Sequence, residues 1–156
     1  MVEINLEDPV LRGFLFYASI LIAKVLFMVP LTARQRFMKK VFISSEDASM
    51  ATRALQMRDA TVKYDDEDVE RVRRAHLNDL ENIPAFIFIG FIYVLTKPDP
   101  TVALNIFRVY TLCRILHTIV YAVFVVPQPT RAIVFTIGIL LTFYMVIMSA
   151  VTFFYP

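Results

Sequence analysis

Polar and charged side chains recur at helical spacing inside otherwise apolar stretches of this 156-residue sequence. Arg74, Asn78 and Glu81 are separated by four and then three residues, which places their side chains on one face of a helix. Arginine binds carboxylate groups through a bidentate fork, and glutamate pairs with an amine. This stripe therefore suits a ligand that carries both carboxylate and ammonium groups.

A second polar stripe follows further along the chain. Arg114, His117 and Tyr121 are separated by three and then four residues, so the two stripes can face one another. Arg131 stands just after Thr130, at the predicted start of a further helix, where the backbone N–H groups and the helix dipole favour an anion. We predict a pocket for an anionic ligand between these elements.

Glutathione matches this set of side chains, because it has carboxylates, an amine, amide groups and a thiol. The spacing also permits a second interpretation, in which Arg74 and Glu81 neutralise each other within a buried network. Spacing alone leaves both interpretations open. Lys24, Asp79 and Arg108 are interpreted as interhelical pairs or as residues whose charged ends reach the membrane surface.

Other ligand classes find no support in the composition. The chain has one cysteine, Cys113, and no paired Cys and His spacing that predicts a metal site. Its net charge of +2 is small, and no basic stripe indicates a nucleic-acid partner.

The elements that position these residues are predicted to lie in a lipid bilayer. Hydrophobic residues make up 58% of the chain and charged residues 19%, which excludes an ordinary water-soluble domain. We predict an all-α membrane protein in which residues 1–156 form a single integral membrane domain. Its four transmembrane helices lie at about 10–34, 68–96, 100–126 and 130–154, with a polar loop at about 35–67.

Two short turns indicate how the helices are connected. In the segment 97–100, Asp99 is a predicted N-cap with Pro100 at the first helical position. The segment 127–130 repeats this arrangement with Thr130 as the cap. Short turns make the second, third and fourth helices antiparallel neighbours, so the predicted architecture is an up-down bundle.

The distribution of basic residues predicts the orientation of the bundle. Between the first two spans we count ten lysines and arginines: Arg34, Arg36, Lys39, Lys40, Arg53, Arg58, Lys63, Arg71, Arg73 and Arg74. The opposite side has only Arg12 and Lys97, so the long loop is predicted to be cytosolic. The opening segment 1–9 has no basic residue, and the first span is therefore predicted to be a retained anchor.

Several stretches of the chain match one family pattern, most clearly ERVRRAHLNDLEN at residues 70–82. Further matching stretches are 39–42 followed by Glu46 and Asp47, 90–100, 114–118 ending in Tyr121, and 127–132. On these residues the sequence resembles the family of membrane-associated proteins in eicosanoid and glutathione metabolism. The similarity covers nearly the whole chain and is strongest to the branch of microsomal glutathione transferases of the first type.

This resemblance implies a homotrimer in the membrane of the endoplasmic reticulum or the outer mitochondrial membrane, with glutathione bound between subunits near the cytosolic face. The implied activity is transfer of glutathione to hydrophobic electrophiles, with peroxidase activity toward lipid hydroperoxides. Arg131 is implied to be catalytic, stabilising the glutathione thiolate. The residues implied to bind glutathione are Arg36, Arg74, Asn78, Glu81, His117 and Tyr121.

Two alternatives come with the same family. The glutathione-dependent prostaglandin E synthases resemble this chain but have Arg, Ser and Tyr in place of Leu77, Ala132 and Phe135. Asp47 matches an acidic residue to which a part in synthase catalysis is assigned, which keeps this alternative open. A non-enzymatic lipid-presenting scaffold is the second alternative, although such a member should lack the glutathione-binding residues.

Overall fold

The computed structural model describes residues 6–154. The part of the opening segment that precedes Leu6 lies outside the described residues. In chain order the elements are α1 (Pro9–Lys39), β1 (Val41–Phe42), α2 (Ser45–Ala54), β2 (Thr61–Val62), α3 (Glu67–Leu95), α4 (Pro100–Thr118), a π-helical turn (Ile119–Val123) and α5 (Thr130–Phe154).

Four helices in the described range are long and apolar enough to cross a membrane, namely α1, α3, α4 with its π turn, and α5. Their starts are fixed by capping residues. Asp8 accepts a hydrogen bond from the Val10 backbone N–H, and Asp99 accepts one of 3.0 Å from Val102. Thr130, in contrast, is the first residue of α5 and not the cap that precedes it.

Helix α1 extends to Lys39, five residues beyond its predicted end at about residue 34. Arg34, Gln35 and Arg36 are good helix formers, so the arrival of polar residues does not end the helix. It ends at Lys40, whose left-handed backbone (φ 56°) directs its N–H to the carbonyls of Arg36 and Phe37. Arg36 therefore lies on a helix and not in a loop.

The segment predicted as a polar loop is ordered. Strands β1 and β2 pair in parallel, with Val41 opposite Thr61, and α2 lies between them in sequence. Asp68, at the start of α3, forms ion pairs with Lys39 and, at 2.6 Å, with Arg71. These contacts join the end of α1 to the start of α3.

The packing order of the bundle differs from the order of the chain. Helices α1 and α5 each pack along both α3 and α4, whereas α3 and α4 meet across the centre of the bundle through long side chains. The short turn at residues 96–99 thus joins two helices that lie diagonally opposite each other in the bundle. The prediction that the second and third helices are adjacent neighbours is therefore wrong. The Leu104 side chain of α4 lies where a side chain at Gly13 of α1 would be, so the missing Cβ of Gly13 permits this approach.

The bundle has two unlike halves. The apolar half contains the buried residues of α1 from Val10 to Leu21, of α3 from Ile83 to Val94, and of α4 from Ala103 to Tyr110, together with Met145. The polar half lies next to the β1–β2 segment and contains a small apolar cluster around Met28. It also contains four buried residues that are polar or charged: Asp79, Arg114, His117 and Thr118.

Candidate functional site

A cavity of about 360 Å³ lies in the polar half, where α3, the end of α4 and the start of α5 meet. Its volume is within the range of small-molecule sites, which is about 300–1,000 Å³. The residues that line it are Asn78, His117, Tyr121, Gln128, Arg131, Ala132 and Phe135.

Each wall of the cavity comes from a different element. Asn78 lies near the middle of α3, and His117 lies in the last turn of α4. The π turn that follows presents Tyr121, and its wider backbone ladder is visible in the 2.7 Å bond from the Phe124 N–H to the Ile119 carbonyl. Such turns within helices are frequent at functional sites. Arg131 is contributed by the first turn of α5.

Tyr121 contacts two arginines and the histidine of the site. The Arg131 guanidinium carbon lies 4.5 Å from the centre of the Tyr121 ring, which is a cation–π contact. The His117 ring packs edge-on at a centroid distance of 5.6 Å. The Tyr121 hydroxyl accepts a 3.4 Å hydrogen bond from Arg74 Nε. Arg74 therefore reaches the margin of the cavity through Tyr121.

Two buried polar atoms at the cavity have no hydrogen-bond partner among the described residues, Arg131 Nε and His117 Nδ1. Buried polar atoms in proteins are nearly always paired, so each such atom calls for an explanation. Arg131 also lies at the N-terminal end of α5, where the helix dipole adds positive potential. The cavity is thus equipped to receive an anionic, hydrogen-bonding ligand.

The structure brings together five of the seven predicted site residues. Four of them line the cavity and Arg74 borders it. Glu81 is exposed on the outer face of α3, and Arg36 lies near Glu70 at the end of α1. The cavity of a single chain does not include these two residues. In the described part of the chain no ion pair joins Arg74 to Glu81, so the mutual neutralisation considered from their spacing is not observed.

A buried charge network lies beside the cavity. Lys24 of α1 forms an ion pair with Asp79 of α3, so of the two interpretations left open for these residues an interhelical pair is the one observed. Arg114 of α4 is 3% exposed and donates a 2.9 Å hydrogen bond from Nη2 to Asn78 Oδ1. Its Nε lies 4.0 Å from Asp79 Oδ1. Arg108 has a separate set of partners, Tyr17 and Asn105.

Sequence reasoning missed three lining residues. Gln128 lies in the turn before α5, where no spacing indicates a site. Ala132 and Phe135 drew notice only as departures from the synthase pattern, yet they follow Arg131 on α5 and line the same cavity. Asp47 is exposed on α2, where its backbone N–H donates to Ser44 Oγ at 3.1 Å, and it is not a lining residue.

No group of three or more His, Cys, Asp or Glu residues that could hold a metal ion occurs within residues 6–154. The polar side chains that line or border the cavity carry guanidinium, imidazole, amide and phenol groups. These groups fit glutathione, since the guanidinium and amide donors match its carboxylates and carbonyls.

Comparison with known proteins gives one consistent result. The microsomal glutathione S-transferase 1 of Rattus norvegicus is 44% identical over 133 residues, covering 85% of this chain and 84% of the relative. The human protein of the same name is 44% identical over 135 residues with the same coverage. A prostaglandin E synthase of Macaca fascicularis is 35% identical over 138 residues, covering 87% of this chain and 85% of the relative.

The model of the MAPEG family matches residues 14–151, a range that contains the four long helices almost completely and every residue lining the cavity. Together with the identity to these relatives, this match establishes that the chain belongs to the MAPEG family.

Proposed function

We propose that this protein is a glutathione transferase of the membrane, which joins glutathione to hydrophobic electrophiles and reduces lipid hydroperoxides. The observation that carries the proposal is the cavity in which Arg131 has an unpaired buried Nε above the ring of Tyr121. The higher identity to microsomal glutathione S-transferase 1 than to prostaglandin E synthase supports the same assignment.

Arg131 is proposed to lower the pKa of the glutathione thiol. An unperturbed thiol has a pKa of about 8.5, and lowering it by about two units requires about 2.7 kcal/mol of preferential stabilisation of the thiolate. A guanidinium at a helix N-terminus in a partly dry cavity can supply this amount. The bound thiolate attacks an electrophilic carbon and displaces a leaving group such as halide, or adds to an enone. With a hydroperoxide it attacks the peroxide oxygen, so the O–O bond breaks to release the alcohol, and a second glutathione converts the resulting sulfenic acid to glutathione disulfide and water.

The other cavity residues are proposed to hold the tripeptide. Arg74 and Asn78 are suited to carboxylate or carbonyl oxygens, because a guanidinium and an amide N–H₂ group are donors. His117 and Tyr121 each carry a group that can donate or accept a hydrogen bond. Glu81 suits the ammonium group, and Arg36 suits a carboxylate.

We also propose that the active form is a homotrimer with sites between neighbouring copies. Glu81 lies near the middle of α3, and its carboxylate is exposed on a helix that is apolar enough to span a membrane. Exposing a charged group to lipid costs about 2.5–3.5 kcal/mol on insertion scales. A second copy packed on this face removes that cost, and it makes Glu81 and Arg36 available to a cavity of the neighbouring chain.

The proposed location is the endoplasmic reticulum membrane or the outer mitochondrial membrane, with the segment 40–66 in the cytosol. The excess of lysine and arginine in and beside this segment supports that orientation. The hydrophobic second substrate is proposed to enter from the bilayer.

A glutathione titration of the purified protein in detergent tests the proposal, with the ultraviolet absorbance of the thiolate as the readout. We expect thiolate formation near neutral pH, and we expect products from chlorodinitrobenzene and from cumene hydroperoxide. Absence of any glutathione binding would contradict the enzyme and leave the scaffold alternative. Turnover of a prostaglandin endoperoxide without conjugation would favour the synthase alternative instead.

A further inference from the structure

The charge network beside the cavity points to a role for residues that do not line it. Asp79 is fully buried on α3, next in sequence to the lining residue Asn78. Successive residues of a helix point about 100° apart, so Asn78 faces the cavity while Asp79 faces the bundle centre. The two side chains are linked through Arg114, which contacts both.

Arg114 restricts the orientation of the Asn78 amide. A guanidinium has donors and no acceptor, so Asn78 must turn its carbonyl oxygen toward Arg114 Nη2, at 2.9 Å. The amide nitrogen then points away from Arg114. This nitrogen has no protein partner among the hydrogen bonds of the described residues, and Asn78 lines the cavity. Asn78 therefore presents a donor to whatever occupies the cavity.

Asp79 in turn is the buried counter-charge of Arg114. One Asp79 oxygen pairs with Lys24, and the other, which has no hydrogen-bond partner in the described range, lies 4.0 Å from Arg114 Nε. Arg114 is 3% exposed, so it has little solvent to compensate its charge. The carboxylate supplies that compensation near Arg114 Nε, while Asn78 is bound by Nη2.

We propose that Asp79 is a positioning residue: through Arg114 it fixes the Asn78 amide so that its N–H₂ group faces the cavity and selects a carboxylate or carbonyl oxygen of the ligand. This inference rests on the proposed function, because it takes glutathione to be the ligand. Lys24 keeps the Asp79 carboxylate compensated, but within residues 6–154 no hydrogen bond or ion pair joins Lys24 to Arg114 or Asn78.

A purely electrostatic role for the network predicts the opposite result. Lys24, Asp79 and Arg114 together carry one net positive charge, whether or not a proton is shared between Lys24 and Asp79. Removing the carboxylate makes the site more positive, which by charge alone strengthens the binding of an anion. If Asp79 acts by positioning, its removal weakens binding in spite of the added positive charge.

The test compares glutathione binding by the full-length unmodified protein, Asp79→Asn and Lys24→Met, measured by isothermal titration calorimetry in detergent. We expect Asp79→Asn to raise the Kd for glutathione about tenfold, the effect of losing one well-oriented bond to a charged group. Lys24→Met should leave the Kd close to that of the unmodified protein. In steady-state kinetics, Asp79→Asn should raise the KM for glutathione while the KM for chlorodinitrobenzene is unchanged.

Thr111→Val is the matched control. Thr111 lies on α4 one turn before Arg114, is buried, and its hydroxyl has no hydrogen-bond partner in the described part of the chain. This substitution also exchanges a buried polar group for one of similar shape, yet it does not touch the network. We expect the glutathione Kd of this variant to be unchanged.

If Asp79→Asn does not fold, the double variant Lys24→Met with Asp79→Asn replaces it, because removing both members of a buried ion pair leaves no unpaired charge. The double variant should show the same tenfold loss. Binding as tight as that of the unmodified protein, or equal weakening by Lys24→Met alone, overturns the positioning role. Failure of the unmodified protein to bind glutathione overturns the proposed function and this inference with it.

Discussion

The two halves of the bundle are packed from different kinds of side chain, apolar and aromatic in one half and polar or charged in the other. In the apolar half, Phe86 is 1% exposed and stacks on Tyr110 with a centroid distance of 3.5 Å and an angle of 6° between the rings. Phe107 meets Phe86 edge-on at 6.3 Å. Polar groups are few in this half: the Tyr110 hydroxyl donates to the Asn82 carbonyl at 3.0 Å, and the buried Ser149 hydroxyl has no hydrogen-bond partner within the described range.

In the polar half, buried atoms at the cavity remain unpaired and positive charge is concentrated. Arg131 Nε and His117 Nδ1 have no partner within residues 6–154, and Arg74 and Arg114 approach the same cavity. A fold optimised for stability alone would pair these groups or replace them with apolar ones. The comparison indicates that the apolar half stabilises the bundle while the polar half is adapted to a ligand.

The largest effect on stability is expected from Phe86→Ala, which tests the apolar half. Removing this ring leaves a cavity between α3 and α4 and should cost about 3 kcal/mol or more of unfolding free energy. Thermal unfolding in detergent, followed by circular dichroism, measures the loss. The folded fraction should bind glutathione with an unchanged Kd, and a Kd that rose in the folded protein would contradict the separation of the two halves.

Arg131→Ala should have the largest effect on activity. Loss of the guanidinium should lower kcat about 100-fold or more, comparable to the loss of one oxyanion-stabilising donor, with little change in thermal stability. Thiolate absorbance and the rate of chlorodinitrobenzene conjugation measure the effect. Arg53→Ala is the control, because Arg53 is exposed on α2 and does not line the cavity. Normal thiolate absorbance and a normal rate in Arg131→Ala would remove the proposed role.

A smaller effect is expected from Tyr121→Phe. This change removes the hydroxyl that accepts the 3.4 Å bond from Arg74 but keeps the ring that lies under Arg131. The loss of one hydrogen bond, about 1 kcal/mol, should raise the KM for glutathione by about fivefold and leave thermal stability close to normal. A drop in kcat as large as that of Arg131→Ala would show that the hydroxyl acts in the chemistry itself.

Much of this architecture follows from local sequence. The second predicted helix, at about 68–96, differs by one residue at each end from α3, and the predicted fourth helix coincides with α5. The starts of these two helices can be predicted because Asp66 caps α3 and because a proline-rich turn precedes α5. The end of α1 is harder to predict, because the polar residues between Arg34 and Lys39 are typical of a solvent-exposed loop but also have high helix propensity.

Some residues of the candidate site could also be predicted from the sequence. Asn78, His117, Tyr121 and Arg131 were found because a polar side chain in an apolar helix is costly and therefore noticeable. The π turn that presents Tyr121 could not be predicted from the sequence, because it changes the backbone hydrogen bonding and not the pattern of polar and apolar residues. Gln128 was missed because turns tolerate polar residues anywhere.

The sequence by itself determined the four long helices and which polar side chains share one face of a helix, and it predicts the orientation from the basic residues, because these depend on composition and on spacing along one helix. Only the tertiary structure decided which of those side chains meet. It placed α3 and α4 across the centre of the bundle, so that Arg114 contacts both Asn78 and Asp79. It also left Glu81 on the outer face, since contacts between helices depend on how their side chains pack, which periodicity does not specify.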